Sequence, residues 1–223
     1  MNLKISVIMS VKDGEKFLNN SIDSVLNQSY KNFEFLICDD GSEDNSFQIC
    51  EEYSKRDNRI VLVKNSKTIG LTKSLNNLIK ISTGNIIARQ DADDISALDR
   101  FSKQLKLYKK GHEIITSRAK IYGSKKTKPR ISYFLPKKTI IKKKNIFVHG
   151  TLFINKKILL NIGCYDEFYY YSQDYKLFSD LLNQGYKIKT IFKPLYIVRN
   201  DKNISTIKIN EQNYFSDLVK KSQ

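Results

Sequence analysis

The 223-residue chain contains no tryptophan, three cysteines, three prolines and nine glycines. Cys38, Cys50 and Cys164 are too few and too scattered for a disulfide framework or a zinc site, and their number is odd. Each stands among apolar neighbours, which predicts buried, reduced thiols in a cytoplasmic protein. No apolar run approaches the roughly 20 residues that cross a bilayer as a helix. Ser6 interrupts the run from Ile5 to Val11, and Glu34 interrupts Phe33 to Cys38. Met1-Asn2-Leu3-Lys4 leads straight into a strand-like segment with no signal-peptide cleavage pattern, so neither secretion nor membrane spanning is expected. The chain also lacks a low-complexity linker and any internal repeat of about 20–50 residues.

Two phosphate-binding signatures are missing as well. The first strand is followed by Ser10-Val11-Lys12-Asp13-Gly14-Glu15 rather than Gly-x-Gly-x-x-Gly, and no Gly-Lys-Ser/Thr loop occurs. These absences disfavour a dinucleotide-dependent dehydrogenase and a P-loop NTPase. A nucleotidyltransferase is expected to carry a Gly-rich, Arg/Lys-bearing loop after its first strand, and this chain has none.

Carboxylates are the minority charge: 39 Lys/Arg face 23 Asp/Glu, a formal net charge of +16. Lysine supplies 32 of the basic residues and arginine 7. Dedicated nucleic-acid readers favour the bidentate guanidinium, so this ratio argues against one and no nucleic-acid partner is expected. Eleven Lys/Arg and no Asp or Glu lie between Arg118 and Lys144. The run reads either as a solvated face or as an attraction to something anionic, such as a membrane surface, a phosphorylated substrate or nucleic acid.

Hydrophobic spacing supplies the architecture. Lys4 to Val11 reads as a fully buried first strand, too apolar for one half-exposed. Leu18, Ile22, Val25 and Leu26 recur at helical spacing over Glu15 to Gln28. Strands over Phe33–Cys38, Arg59–Val63 and Asn85–Ala88 then alternate with helices over Asn45–Lys55, over Leu71 to Ile79 and over Leu98 to Tyr108. Beyond Gly111 the alternation weakens to strands at Ile114–Thr116, Phe147–Ile154 and Lys187–Phe192, with a helix at Gln173–Asn183. The length suits one α/β domain, and the alternation implies a mostly parallel sheet flanked by helices. Two halves, 1–111 and 112–223, are expected within that one continuous domain.

Ligands of open parallel sheets sit at the carboxyl ends of the strands. Two early strands end there in carboxylate clusters, Asp39-Asp40 and Asp91-Ala92-Asp93-Asp94. Three carboxylates in four residues repel one another unless a cation joins them, and oxygen ligands select a hard ion, Mg²⁺ or Mn²⁺. Helix capping and turn chemistry account for the same residues without a ligand, and an isolated Asp-x-Asp does not decide between the two.

Four segments together resemble the family 2 glycosyltransferases of the GT-A fold. They are ISVIMSVKDG from Ile5, FEFLICDDGSEDN from Phe33, the stretch from Gly70 through TGNIIARQDADD, and GCYDE followed by SQDYKLFSDLL from Gly163. Phe147–Phe153 and Pro194–Ser205 fit later blocks of the same pattern. The resemblance implies the nucleotide-sugar transferase fold, with a donor-binding half (1–111) and an acceptor-side half (112–223), and an inverting displacement at the anomeric carbon of a UDP-sugar. It places Ser10 and Asp40 at the base pocket, Asp91 against the ribose or donor sugar, and Asp93 on a Mn²⁺ or Mg²⁺ that bridges the diphosphate. Asp174 falls at the catalytic base, and Lys73 reads either as a diphosphate contact or as an exposed helix lysine. Lys12-Asp13 stands where the family has Tyr-Asn, Ser10 replaces Pro or Thr, and Gln173 replaces the usual Glu, removing a negative neighbour of Asp174.

His149 reads either as an acceptor contact or as a hydrogen-bonded structural histidine. The run Phe168-Tyr169-Tyr170-Tyr171 reads as an acceptor platform, with Tyr170 as its candidate, or as a loop packed on the core. The resemblance thus implies a metal-dependent hexosyltransferase acting on a glycan or lipid-linked acceptor in cell-surface polysaccharide or lipopolysaccharide synthesis. It would be cytoplasmic, and the basic run suggests the inner face of an anionic membrane. The alternatives are an inactive nucleotide-binding relative and a basic nucleic-acid-binding protein.

Overall fold

Strands β1 (Ile5–Val11) and β2 (Phe33–Asp39) are buried at every residue, so both faces of the sheet they form are covered. In the computed structural model, which describes residues 3–130, 135–199 and 208–222, β1 lies between β2 and β4 (Ile86–Arg89), parallel to both. β3 (Ile60–Lys64) continues the parallel set beside β2. Helices α1 (Glu15–Leu26), α2 (Ser46–Arg56) and α3 (Leu71–Ile81) make the crossovers. Because successive strand side chains point to opposite faces, the sheet divides two cores. Val7, Met9, Phe35 and Ile37 meet Leu18, Ile22 and Val25 of α1 on one face. Ile8, Leu36, Cys38 and Ile87 meet Leu75, Leu78 and Ile79 of α3 on the other.

Past β4 the sheet changes direction. β8 (Phe153–Asn155) pairs antiparallel with β4, and β6 (Ile114–Ile121) pairs antiparallel with β8. β9 (Ile188–Val198) runs parallel to β6, and the short β5 (Ile95–Ser96) closes the edge antiparallel to β9. β7 (Thr127–Lys128) forms a hairpin with β6. The order is β3-β2-β1-β4-β8-β6-β9-β5, a mostly parallel sheet flanked by helices. The β4–β8 and β5–β9 pairings tie residues 1–111 to residues 112–223 in one continuous sheet. The remaining helices are α4 (Arg100–Tyr108), α5 (Lys137–Ile141), α6 (Lys156–Asn161), α7 (Gln173–Asn183) and α8 (Ile209–Lys221). Among the described residues, no helix is long and apolar enough to cross a membrane.

Four expectations change, the first being the strand expected at Ile114–Thr116, which runs on to Ile121 as β6 beside the long β9. The strand expected over Phe147–Ile154 shrinks to β8, because His149–Thr151 form a 3-10 turn instead. The Thr151 hydroxyl donates to the carbonyl of Val148 (2.7 Å) and accepts the amide of Ser117 (3.1 Å), local bonds that replace a strand ladder. The strand expected to stop at Phe192 continues through Pro194 to Val198, and the β6 register shifts on either side of Arg118, whose partner is that proline. Cys38 and Cys50 are buried, with burial pushing their thiols up to about 11 and about 12. Cys164 is only half-buried and has a left-handed backbone (φ 64°). Of the later blocks, residues 200–205 lie outside the described residues.

Candidate active site

The loops after β1 and β2 are bound to each other at the carboxyl end of the sheet. The amide of Asp13 donates to Ser42 Oγ (3.1 Å), that of Gly14 to Ser46 Oγ (2.8 Å), and that of Glu43 to Asp13 Oδ1 (2.8 Å). Lys12 Nζ caps the carbonyl of Gly41 at 3.0 Å. Ser10 is buried in register with Cys38. The buried carboxylate of Asp40 accepts the amides of Ile69 and Gly70 (both 2.9 Å) and Asn65 Nδ2 (2.8 Å), so it holds the start of α3 against β2. Three protein donors leave about one of its four acceptor positions free. Asp39 is fully buried; its Oδ2 accepts the amide of Ser42 (3.3 Å), and its Oδ1 has no hydrogen-bond partner. Lys73 is exposed on the first turn of α3.

The turn after β4 is built on a buried polar scaffold. Gln90 Nε2 donates to the carbonyls of Asp91 (3.1 Å) and Asp94 (2.9 Å), and Gln90 Oε1 accepts from Ser96 Oγ (2.7 Å) and from Arg100 (3.3 Å). The Asp91 amide donates to Tyr196 Oη (2.9 Å), and its carboxylate pairs with the buried guanidinium of Arg89 at 2.7 Å. Gly150 lies directly against this turn. A Cβ there would stand 2.3 Å from Tyr196 Oη and 2.6 Å from Asp91 Oδ2, so only glycine fits. Burial, and then the charge of Asp91, push the carboxyls of Asp93 and Asp94 up. Asp94 Oδ1 also accepts the amide of Arg199 (2.8 Å), anchoring the turn to the end of β9.

The donor set of Asp93 and its neighbours fits a hard divalent cation, whose charge would offset the burial and mutual repulsion that push these carboxyls up. Among the described residues no three His, Cys, Asp or Glu side chains converge as a complete metal cage. The residues therefore suit an ion that completes its shell with substrate phosphates and water.

Asp174 stands in the first turn of α7, half-buried. Burial pushes its carboxyl up to about 6; the amide of Tyr175 opposes the rise and the charge of Asp91 adds to it. Asn145 Nδ2 donates to Asp174 Oδ2 at 2.7 Å. His149 Nε2 and Tyr165 Oη share a 2.7 Å hydrogen bond. Burial and the neighbouring Arg89 lower His149 to about 4, so it is neutral at pH 7. The charge of Asp91 is felt at Asp174, His149, Tyr165 and Tyr196, which places residues from β4, the 3-10 turn, α7 and β9 around one centre.

The residues singled out by sequence separate into two groups. Asp91, Asp93, His149 and Asp174 share this centre, whereas Ser10 and Asp40 line the adjoining β1–β2 corner. Tyr170 rests against Gly70 beside that corner, and Lys73 stands outside on α3. Sequence reasoning missed Arg89, Asn145, Tyr165, Tyr196 and the orphaned oxygen of Asp39. Tyr165 carried a signal in GCYDE. Asn145 carried none, since a lone Asn after a lysine run has no local pattern.

The family profile described as Glycosyl transferase family 2 matches residues 6–165, ahead of Asp174. The chain is 31% identical over 204 residues to the putative glycosyltransferase EpsE of Bacillus subtilis, covering 89% of this chain and 73% of that protein. It is 32% identical over 194 residues to the O-antigen biosynthesis glycosyltransferase WbnJ of Escherichia coli, covering 81% and 72%. The structure of S. aureus TarS in complex with UDP superposes with a TM-score of 0.76 at 18% identity, covering 97% of this chain and 65% of that one. The chain thus spans about three quarters of these curated relatives and just under two thirds of the TarS chain. With the sheet order and the matched segment in agreement, the chain belongs to glycosyl transferase family 2 and has the GT-A fold.

Proposed function

We propose that this chain is an inverting, metal-dependent hexosyltransferase. It would move a sugar from a UDP-linked donor to a hydroxyl of a glycan or lipid-linked acceptor in cell-surface polysaccharide or lipopolysaccharide synthesis. The observation that carries the reading is Asp174, a half-buried carboxylate tuned to about 6 and facing the same centre as Asp91. A base poised near the working pH is largely ionised there yet still takes up a proton effectively.

The acceptor hydroxyl attacks the anomeric carbon from the face opposite the diphosphate. The new C–O bond forms as the bond to the diphosphate oxygen breaks, which inverts the configuration. Asp174 receives the hydroxyl proton. Asn145, donating to Oδ2, orients that carboxylate. His149, neutral and bonded to Tyr165, supplies no charge to the step and serves to shape the acceptor side. Arg89 fixes the orientation of Asp91 toward the donor sugar or ribose. Ser10, Asp40 and the unpartnered Oδ1 of Asp39 supply the base corner, and Lys73, exposed on the first turn of α3, stands outside it. A Mn²⁺ or Mg²⁺ ion held by Asp93 would offset the charge that develops on the leaving diphosphate.

A thermal-shift panel of nucleotide sugars, with and without Mn²⁺, tests the reading, because a ligand of the native state raises the melting temperature by mass action. A Mn²⁺-dependent shift with a UDP-sugar, lost in Asp93→Ala, supports it. A folded protein that responds to no nucleotide overturns it in favour of the nucleic-acid reading. Nucleotide binding with no transfer, unchanged by Asp174→Asn, would mark an inactive relative.

The basic segment fits the acceptor end of this scheme. Lys138, Lys142, Lys143 and Lys144 are exposed on and after α5, and the next residue, Asn145, is the partner of Asp174. An anionic membrane surface held by these lysines would lie next to the base that activates the acceptor.

A further inference from the structure

One segment reaches from the catalytic carboxylate to the base corner. Residues 165–172 are bounded by Cys164 and Ser172, both with left-handed backbones (φ 64° and 57°). Asn76 of α3 holds its start in two reciprocal bonds, donating to the carbonyl of Tyr165 (2.9 Å) and accepting its amide (3.0 Å). Thr72 Oγ1 donates to the carbonyl of Tyr169 (3.3 Å). The segment therefore runs back along α3 toward its N-terminus and delivers Tyr170 to Gly70.

That contact is close. Gly70 adopts φ +96°, and a Cβ on it would lie 2.7 Å from Cε2 of Tyr170, so the ring rests directly on the glycine. The amide of the same glycine donates to Asp40 Oδ2 at 2.9 Å. Tyr170 keeps 50% of its surface exposed, so the ring is not consumed by core packing. Its neighbours differ: Phe168 and Tyr171 pack on Phe215 of α8. The loop after β1, Val11 to Gly14, contributes no aromatic ring to this corner.

We infer that Tyr170 is a donor-binding residue whose ring packs on the nucleobase beside Asp40, although the chain order places it in the acceptor half. The inference rests on the nucleotide-sugar reading above. It makes one segment contact both the donor base, through Tyr170, and the catalytic centre, through Tyr165 and the start of α7. A flat apolar ring half-open to solvent suits stacking on any base, so Tyr170 adds affinity while hydrogen-bonding groups such as Asp40 choose the base.

Calorimetric titration of UDP and of ribose 5-diphosphate, which lacks the base, tests this on wild type, Tyr170→Phe and Tyr170→Ala in the presence of Mn²⁺. The alanine variant is expected to bind UDP about 5- to 100-fold more weakly and ribose 5-diphosphate as wild type does. The phenylalanine variant, which keeps the ring, is expected to match wild type with both. Unchanged UDP affinity in Tyr170→Ala overturns the inference. So does a loss shared equally by the base-free ligand, which would mark a structural role, or an equal loss in Tyr170→Phe. A wild-type protein that binds neither ligand overturns the donor reading itself.

Discussion

Asp174 acquires its basicity from burial rather than from a charged neighbour. Gln173 stands where an acidic residue is usual, yet burial pushes Asp174 up to about 6, with the charge of Asp91 adding to it. The sign follows directly: a base must be ionised to act, so activity is expected to fall as pH drops through about 6. Asp174→Asn is expected to lose about 10²–10⁴-fold in turnover with little change in melting temperature, measured by transfer kinetics beside a thermal melt. His149, lowered to about 4, does not titrate in that window. His149→Gln should therefore leave the acidic limb of the pH–rate profile in place; a limb that moves with it would assign the limb to the histidine. Gly150 is constrained sterically. Gly150→Ala drives a methyl into Tyr196 and Asp91, and a loss of about 1–3 kcal/mol in denaturant unfolding is expected, with weakened donor binding.

At the scale of elements, opposite ends of the sheet do different work. Carboxylates gather where β2 and β4 end, while the amino ends are fastened by Glu34 of β2. Glu34 accepts Ser6 Oγ (2.5 Å), Lys4 Nζ (2.8 Å), and both the amide (2.6 Å) and the hydroxyl (2.8 Å) of Thr83. Burial opposes ionisation, but these donors together hold its carboxyl down at about 2. A carboxyl lowered on folding stabilises above its unfolded value of 4.5, and that stabilisation is lost as pH falls toward 2. Glu34→Gln is accordingly expected to unfold at lower denaturant than wild type at pH 7. The gap should narrow between pH 4.5 and 2; a gap independent of pH would assign the effect to packing instead. The elements that sequence misjudged have tertiary causes. His149–Thr151 turns rather than extends because Thr151 bonds across to β6 and Gly150 admits Tyr196. β9 tolerates Pro194 because its partner strand shifts register there.

Across the whole molecule the charge is distributed by segment. Between Glu113 and Asp166 no carboxylate occurs, and α5 with the lysines after it forms an exposed basic edge next to Asn145 and Asp174. Binding to vesicles containing anionic phosphatidylglycerol is expected at low salt. It should weaken on neutralising Lys142, Lys143 and Lys144 together and vanish with rising ionic strength. Equal binding to neutral phosphatidylcholine vesicles would remove the electrostatic account.

The alternation of buried strands and amphipathic helices up to Gly111, the family and the carboxylates at the strand ends were all readable from local pattern. Apolar periodicity and short motifs are properties of neighbours along the chain, and the first four strands differ from expectation by a residue or two at most. Only the folded chain decided which groups meet. Arg89 reaches Asp91, Asn145 reaches Asp174, Tyr196 supports the Asp91 turn from 105 residues away, and Tyr170 crosses to Gly70. These pairings depend on the antiparallel return of β8 and β9 and on the path of residues 165–172 along α3. Such long-range closures leave no periodic trace in sequence, because any residue of suitable size and polarity satisfies the local pattern equally well.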